Sequence, residues 1–166
     1  MARQLWVLRH AEAEPHGARK DAERELTDRG ERQARAAGIA LGRLDVRFEA
    51  VLFSPKVRAH QTAELAAAEW SEQQRGLLQS HPPLAGDFDA RDALAALTEV
   101  DADGRLLIVG HEPDLSRTVA ELTGGRIDLK KGGLAVVRLE GVGGELVALL
   151  RPRELALIAG VPGDGN

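Results

Sequence analysis

The chain has 166 residues, 43% hydrophobic and 29% charged, with 22 Lys or Arg against 26 Asp or Glu and a net charge of −4. That is the composition of one ordinary globular domain, and its acid excess argues against a broad nucleic-acid-binding face. With no cysteine there is no disulfide, no thiolate nucleophile and no Cys-based metal site. No stretch has the length of a membrane span. The apolar run between Arg3 and Arg9 is too short for a signal-peptide core, so the expected location is cytoplasmic.

Leu5-Trp6-Val7-Leu8 are four consecutive apolar residues that stop at Arg9-His10. A short apolar run of this kind predicts a strand buried on both faces of a parallel sheet. Ligands of open α/β sheets bind beyond the carboxyl ends of the strands, which places Arg9 and His10 at the lip of such a crevice. Residues 12–25 follow as a polar loop, long enough to suggest function. Thr27 then predicts a helix N-cap, with Asp28 suited to the first-turn dipole, and Ala34, Ala37, Leu41 and Leu44 form its inward stripe. The second strand is expected at 50–53. Ser54-Pro55 reads as an N-cap with proline at the first helical position, putting Arg58 near the start of a helix buried through Ala59, Ala63 and Ala66.

Residues 71–89 are polar, with a short strand expected at 77–80. Asp87 or Asp89 caps a helix over 90–100 that turns Leu94 and Leu97 inward. Residues 106–109 form a third apolar strand and run into Gly110-His111-Glu112-Pro113. A helix from Pro113-Asp114 buries Leu115, Val119 and Leu122 and ends at Gly124-Gly125. Segments 134–139 and 146–150, flanking a Gly-rich stretch, predict an antiparallel hairpin added to the sheet. The expected architecture is an α/β three-layer sandwich with a mainly parallel central sheet, helices on both faces and a C-terminal hairpin. It forms a single domain over 1–161, with 162–166 as a frayed tail.

Three strands thus deliver Arg9, His10, Arg58 and His111 to one sheet edge. Arginine is a permanently charged fork that fits phosphate oxygens bidentately. A histidine among such donors can attack phosphorus if one ring nitrogen is unprotonated, and neighbouring arginines keep it neutral. An Arg-His pair at a single strand end would be unremarkable; three strands agreeing is the signal. His60 reads as a surface or packing residue, and His16 and His81 as solvated loop residues. Neither His-x-His nor His-Glu-x-x-His spacing occurs, so no metal is expected. No Gly-x-Gly-x-x-Gly follows the first strand, which argues against a dinucleotide site.

Leu8-Arg9-His10, the segment Ser54-Pro55-Lys56-Val57-Arg58-Ala59-His60-Gln61-Thr62-Ala63 and Val109-Gly110-His111-Glu112-Pro113 together resemble the histidine phosphatase superfamily, which has a phosphoglycerate mutase-like fold. The short length and the block Glu23-Arg24-Glu25-Leu26-Thr27-Asp28-Arg29-Gly30 look most like its compact SixA-type phosphohistidine phosphatases. The resemblance spans about residues 4–150. It implies that His10 is the phosphorylated nucleophile, that Arg9, Arg58 and His111 form its phosphate pocket, and that no cofactor is needed. Ala11 departs from the glycine many members carry there. The glutamate general acid of the larger members has no counterpart in 71–100; Asp87 is the candidate acid in that region, with Glu12 and Glu14 weaker ones.

A missing acid suits a leaving group that departs without one. Alkyl phosphates gain about 10²–10⁴-fold from a proton donor, whereas a phosphorylated imidazole leaves readily. The leading expectation is therefore a phosphatase for phosphohistidine on a signalling or phosphotransfer protein. The rivals are a phosphatase for a small phosphate ester or sugar, and a module that captures phosphate without turnover. Neither nucleic acid nor membrane is an expected partner.

Overall fold

The computed structural model describes residues 2–163. At its centre lies β1 (Arg3–Arg9), with Leu5, Trp6, Val7 and Leu8 all buried. Strand β1 pairs in parallel with β4 (Arg105–Gly110), and β4 in parallel with β2 (Ala50–Phe53). A short parallel edge, β3 (Leu78–Ser80), lies beside β2. The antiparallel pair β5 (Leu134–Glu140) and β6 (Gly143–Leu150) continues the sheet beyond β1, giving the order β3-β2-β4-β1-β5-β6.

Side chains of a strand alternate between faces, and here both faces are covered. Leu5, Val7, Leu106 and Ile108 pack with α4 (Ala90–Leu97) and α5 (Asp114–Thr123). Trp6, Leu8, Leu107 and Val109 pack with α1 (Asp28–Arg43), α2 (Val57–Ala67) and α6 (Pro152–Ala159). A single helical turn, α3 (Glu72–Arg75), precedes β3. This is the expected three-layer α/β sandwich.

Most local expectations hold for their stated reasons. The Thr27 side chain accepts from the Gly30 amide and starts α1. Asp89, not Asp87, caps α4, through a reciprocal capping box with Asp92. Gly124 closes α5 in the left-handed conformation.

Four expectations change. Leu44 lies past the last residue of α1 and is exposed, because the helix ends at Arg43. Helix α4 stops at Leu97, short of residue 100, and Leu94 is only partly buried on it. Ser54 does not cap α2, which begins at Val57 without a side-chain cap. Finally, α6 was not expected at all. Its cues are Pro152 in the first turn, Glu154 reaching back to the Arg151 amide, and Leu155, Ala156 and Ala159 on one buried face. Of the expected tail, 164–166 lie outside the described residues.

Candidate active site

Sheet register builds the site. Phe53, Val109 and Leu8 form one row across β2, β4 and β1, and Arg9 stands level with Gly110. Continuing that row by one residue brings His10 beside His111, and the His10 amide donates to the Gly110 carbonyl at 3.0 Å. Their rings are 5.2 Å apart between centroids, tilted by 51°. Both imidazoles are buried.

The two rings are held by opposite nitrogens. His10 Nδ1 lies 2.7 Å from the Ala11 carbonyl oxygen. A carbonyl only accepts, so that nitrogen carries the hydrogen, and the Nε2 lone pair is left for chemistry. His111 Nε2 lies 2.7 Å from Ser54 Oγ. Ser54 is fully buried, its Oγ accepts from the Lys56 amide at 3.2 Å, and its hydroxyl hydrogen has no acceptor other than His111 Nε2 among the described residues, so the hydroxyl donates to His111. His111 then carries its hydrogen on Nδ1, which is buried and has no partner among the described residues. This is why Ser54 is not the cap its sequence position suggests.

Arg58, buried on the first turn of α2, gives its Nη1 to the Asp21 carbonyl at 2.6 Å and its Nη2 to the Asp21 carboxylate at 3.3 Å. Asp21 sits in a short 3-10 turn, Asp21–Glu23, inside the polar loop, and also receives Lys56 and Arg24. Those partners, Lys56 first, hold its carboxyl far below the ordinary range, so it stays ionised. Arg9 donates Nη1 to the Leu129 carbonyl at 2.9 Å. The Nε groups of Arg9 and Arg58, like His111 Nδ1, are buried without a partner among the described residues.

Electrostatics follow from this geometry. Burial is the main cause that lowers His10 to about 3, against the Ala11 hydrogen bond, with the cations Arg58 and Arg9 and, where it is protonated, His111 adding to it. Burial likewise lowers His111 to about 3, with Arg58 and Lys56 adding to it. Burial also pulls both guanidinium groups below their ordinary value; arginine nonetheless stays charged. Two neutral imidazoles therefore stand among fixed cations near neutral pH.

The structure thus brings together Arg9, His10, Arg58 and His111. Asp87 is exposed, has φ 61° and makes no hydrogen bond or ion pair among the described residues. Glu12 is engaged by Thr27 and Arg29, and Glu14 by Arg19 and the Glu25 amide. His60 stacks on Phe53 at 4.5 Å and pairs with Glu64; His16 is exposed, and His81 lies edge-on to Phe88. No group of three His, Asp or Glu able to hold a metal occurs among the described residues, and no helix there is long and apolar enough to cross a membrane. Sequence reasoning missed Ser54 and Asp21. Ser54 had a usable signal, since it ends a strand in the row next to His111; Asp21 had only its place among Arg19, Lys20 and Arg24.

Comparison with known proteins gives the chain a family. The family model of the histidine phosphatase superfamily (branch 1) matches residues 5–77, which include His10 and Arg58. An uncharacterized protein of Picosynechococcus sp. (strain ATCC 27264 / PCC 7002 / PR-6) is 34% identical over 147 residues, covering 81% of this chain and 84% of its own. The chain belongs to the histidine phosphatase superfamily. Among solved structures, the protein histidine phosphatase SixA complexed with tungstate is 28% identical with a TM-score of 0.78, over 92% of this chain and 99% of that one. A SixA-type protein of Nakamurella multipartitia is 27% identical with a TM-score of 0.71, over 92% and 97% of the two chains. At lower identity the superfamily fold also recurs in phosphatases of α-ribazole phosphate and of phosphoserine, so a superfamily phosphatase fold leaves the substrate open.

Proposed function

We propose that this superfamily phosphatase hydrolyses phosphohistidine on a protein, with His10 as the nucleophile. One observation carries the reading: three buried donors without partners among the described residues, Arg9 Nε, Arg58 Nε and His111 Nδ1, belong to the side chains that act electrostatically on His10, whose Nε2 is left free. Three donors answer the three equatorial oxygens of a phosphoryl group in flight. The likeness to SixA, including a structure holding the tetrahedral oxyanion tungstate, supports it.

The His10 Nε2 lone pair attacks phosphorus in line, forming one N–P bond as the substrate's N–P bond breaks. The departing electron pair stays on the substrate imidazole, which leaves neutral when its other nitrogen already carries a proton. His10 keeps its Nδ1 hydrogen on the Ala11 carbonyl throughout, so the phosphorylated ring is a cation. Water then attacks phosphorus, and His10 leaves as a neutral imidazole with its original tautomer restored. Neither step needs a proton delivered to a departing oxygen. This fits a site whose nearby carboxylates, Asp21, Glu12 and Glu14, are all engaged with cations or amides.

A small alkyl phosphate would need an acid, and Asp87 is the candidate left for it. Turnover of a phosphohistidine peptide and of an alkyl phosphate should therefore be compared under one set of conditions, with rapid quenching to trap label. The expected result is a large preference for phosphohistidine and acid-labile, base-stable phosphate on His10. Efficient alkyl phosphate turnover that collapses in Asp87→Asn would overturn the substrate assignment, and absence of covalent label would overturn the nucleophile.

A further inference from the structure

Arg9 also opens onto a second space, a cavity of about 470 Å³. Its walls carry five cations, Arg9, Arg29, Lys130, Lys131 and Arg151, against one carboxylate, Glu12. Besides Arg9 at the end of β1, three separate segments supply them: the first turns of α1, the turn before β5, and the residue that caps α6. The turn is fastened to the catalytic strand. The Gly132 amide donates to the carbonyls of both Arg9 and His10, at 3.2 and 2.9 Å, and the Arg9 amide donates to Gly133 at 3.1 Å. Gly132 has φ +75°, and a Cβ on Gly133 would fall 2.8 Å from the Lys130 carbonyl, so glycine is what lets the turn close there. The lysines are thereby anchored within one hydrogen bond of the nucleophile's own backbone.

The lining says what kind of ligand fits. Small-molecule pockets are mainly apolar or aromatic with a few placed polar groups. This groove has no aromatic residue, and Pro152 is the one apolar residue in a lining otherwise made of charged and amide side chains. Lys130 pairs with Asp128 and Arg151 with Glu154, both at the surface, while exposed Lys131 has no acidic partner among the described residues. Exposed pairs of this kind are weak and exchange readily with carboxylates from another molecule.

We propose that the groove docks an acidic protein surface flanking the phosphorylated histidine of the substrate. The inference rests on the phosphohistidine reading above and extends it to the substrate's surroundings. Charge on the rim of an interface acts chiefly on encounter and register. The groove therefore selects which phosphohistidine reaches Arg9, leaving the chemical step to the buried pocket.

The test uses two phosphohistidine peptides of equal length, one with glutamates around the histidine and one with lysines, and free phosphoramidate as a small substrate. At low salt, kcat/KM should favour the acidic peptide by about tenfold, as expected of rim charges, and the gap should close near 1 M salt, where the screening length is about 3 Å. In the double variant Lys130→Glu, Lys131→Glu the preference should vanish or reverse, with phosphoramidate turnover unchanged. Fluorescence anisotropy of the unphosphorylated, labelled acidic peptide reads the groove independently of turnover. If neither peptide is dephosphorylated, the phosphohistidine reading fails, while anisotropy still decides the groove. Equal affinity of wild type and double variant for the acidic peptide would overturn the docking proposal. So would tighter binding by a single-stranded oligonucleotide that displaces the peptide.

Discussion

The buried edge and the basic groove share Arg9 and a surplus of positive charge, yet they handle that charge in opposite ways. At the edge, Arg58 and the two imidazoles are desolvated and each is held by a named partner, while Arg58 Nε and His111 Nδ1 are buried with no partner among the described residues. In the groove, Lys130, Lys131 and Arg151 are exposed, and the pairs they make are at the surface. Fixed, dry donors stabilise charge as it moves, because they need no reorganisation during the reaction. Flexible, wet cations are screened by salt and act on approach. Position on the protein, more than residue type, divides chemistry from capture.

The sharpest break should come at His10. His10→Ala is expected to abolish turnover on every phosphorylated substrate while phosphate or vanadate still binds through Arg9, Arg58 and His111, as read by calorimetry. Retained turnover would move the nucleophile elsewhere. Next is Arg58→Ala, which removes a charge-assisted donor contributing about 1.5–3 kcal/mol. Vanadate affinity should fall accordingly, by roughly ten- to a hundredfold; an unchanged value would detach Arg58 from the pocket.

Ser54→Ala should cost less, about tenfold in kcat, consistent with losing one hydrogen bond. It removes the group that fixes the hydrogen of His111 on Nδ1, so the variant should also change the pH profile of kcat, which mere loss of stability would not do. The smallest and slowest-varying effect concerns stability against pH. Both folded imidazoles lie at about 3, below the ordinary 6.5. Between those values the unfolded chain takes up protons that the native protein refuses, so acid favours unfolding there, and above 6.5 these groups contribute no pH dependence. Thermal melts should fall as pH drops from about 6.5 toward 4, and more shallowly in His10→Asn, His111→Asn. A wild-type melting temperature constant across that window would contradict buried, neutral imidazoles.

How far all this could be read from the sequence depends on the range of the interaction involved. The central strands were legible because burial on both faces leaves an uninterrupted apolar run, as in Leu5 to Leu8 and Leu106 to Val109. The pocket was legible because each run ends in a residue with its own chemistry. Ser54 was misread because a local rule, serine before proline at a helix start, lost to a partner 57 residues away. Asp21 stayed hidden for the same reason, since its link to Arg58 spans 37 residues. Helix α6 was overlooked though its capping and apolar face are local. The basic groove could not be seen at all, because α1, the Lys130–Lys131 turn and α6 meet only once the sheet has formed.

One contact far from the pocket sets a distance within it. A Cβ on Gly38 of α1 would fall 1.7 Å from the Ala66 carbonyl of α2, and Trp70 Nε1 donates to the Gly38 carbonyl at 3.0 Å. The two helices therefore touch backbone to backbone with no side chain between them to yield. Arg58 rides on one and Arg29 on the other. The spacing from His10's edge to the groove is thus fixed like the marks on a ruler, and under the docking proposed above a substrate would be measured by whether its acidic patch lies one such interval from its phosphate.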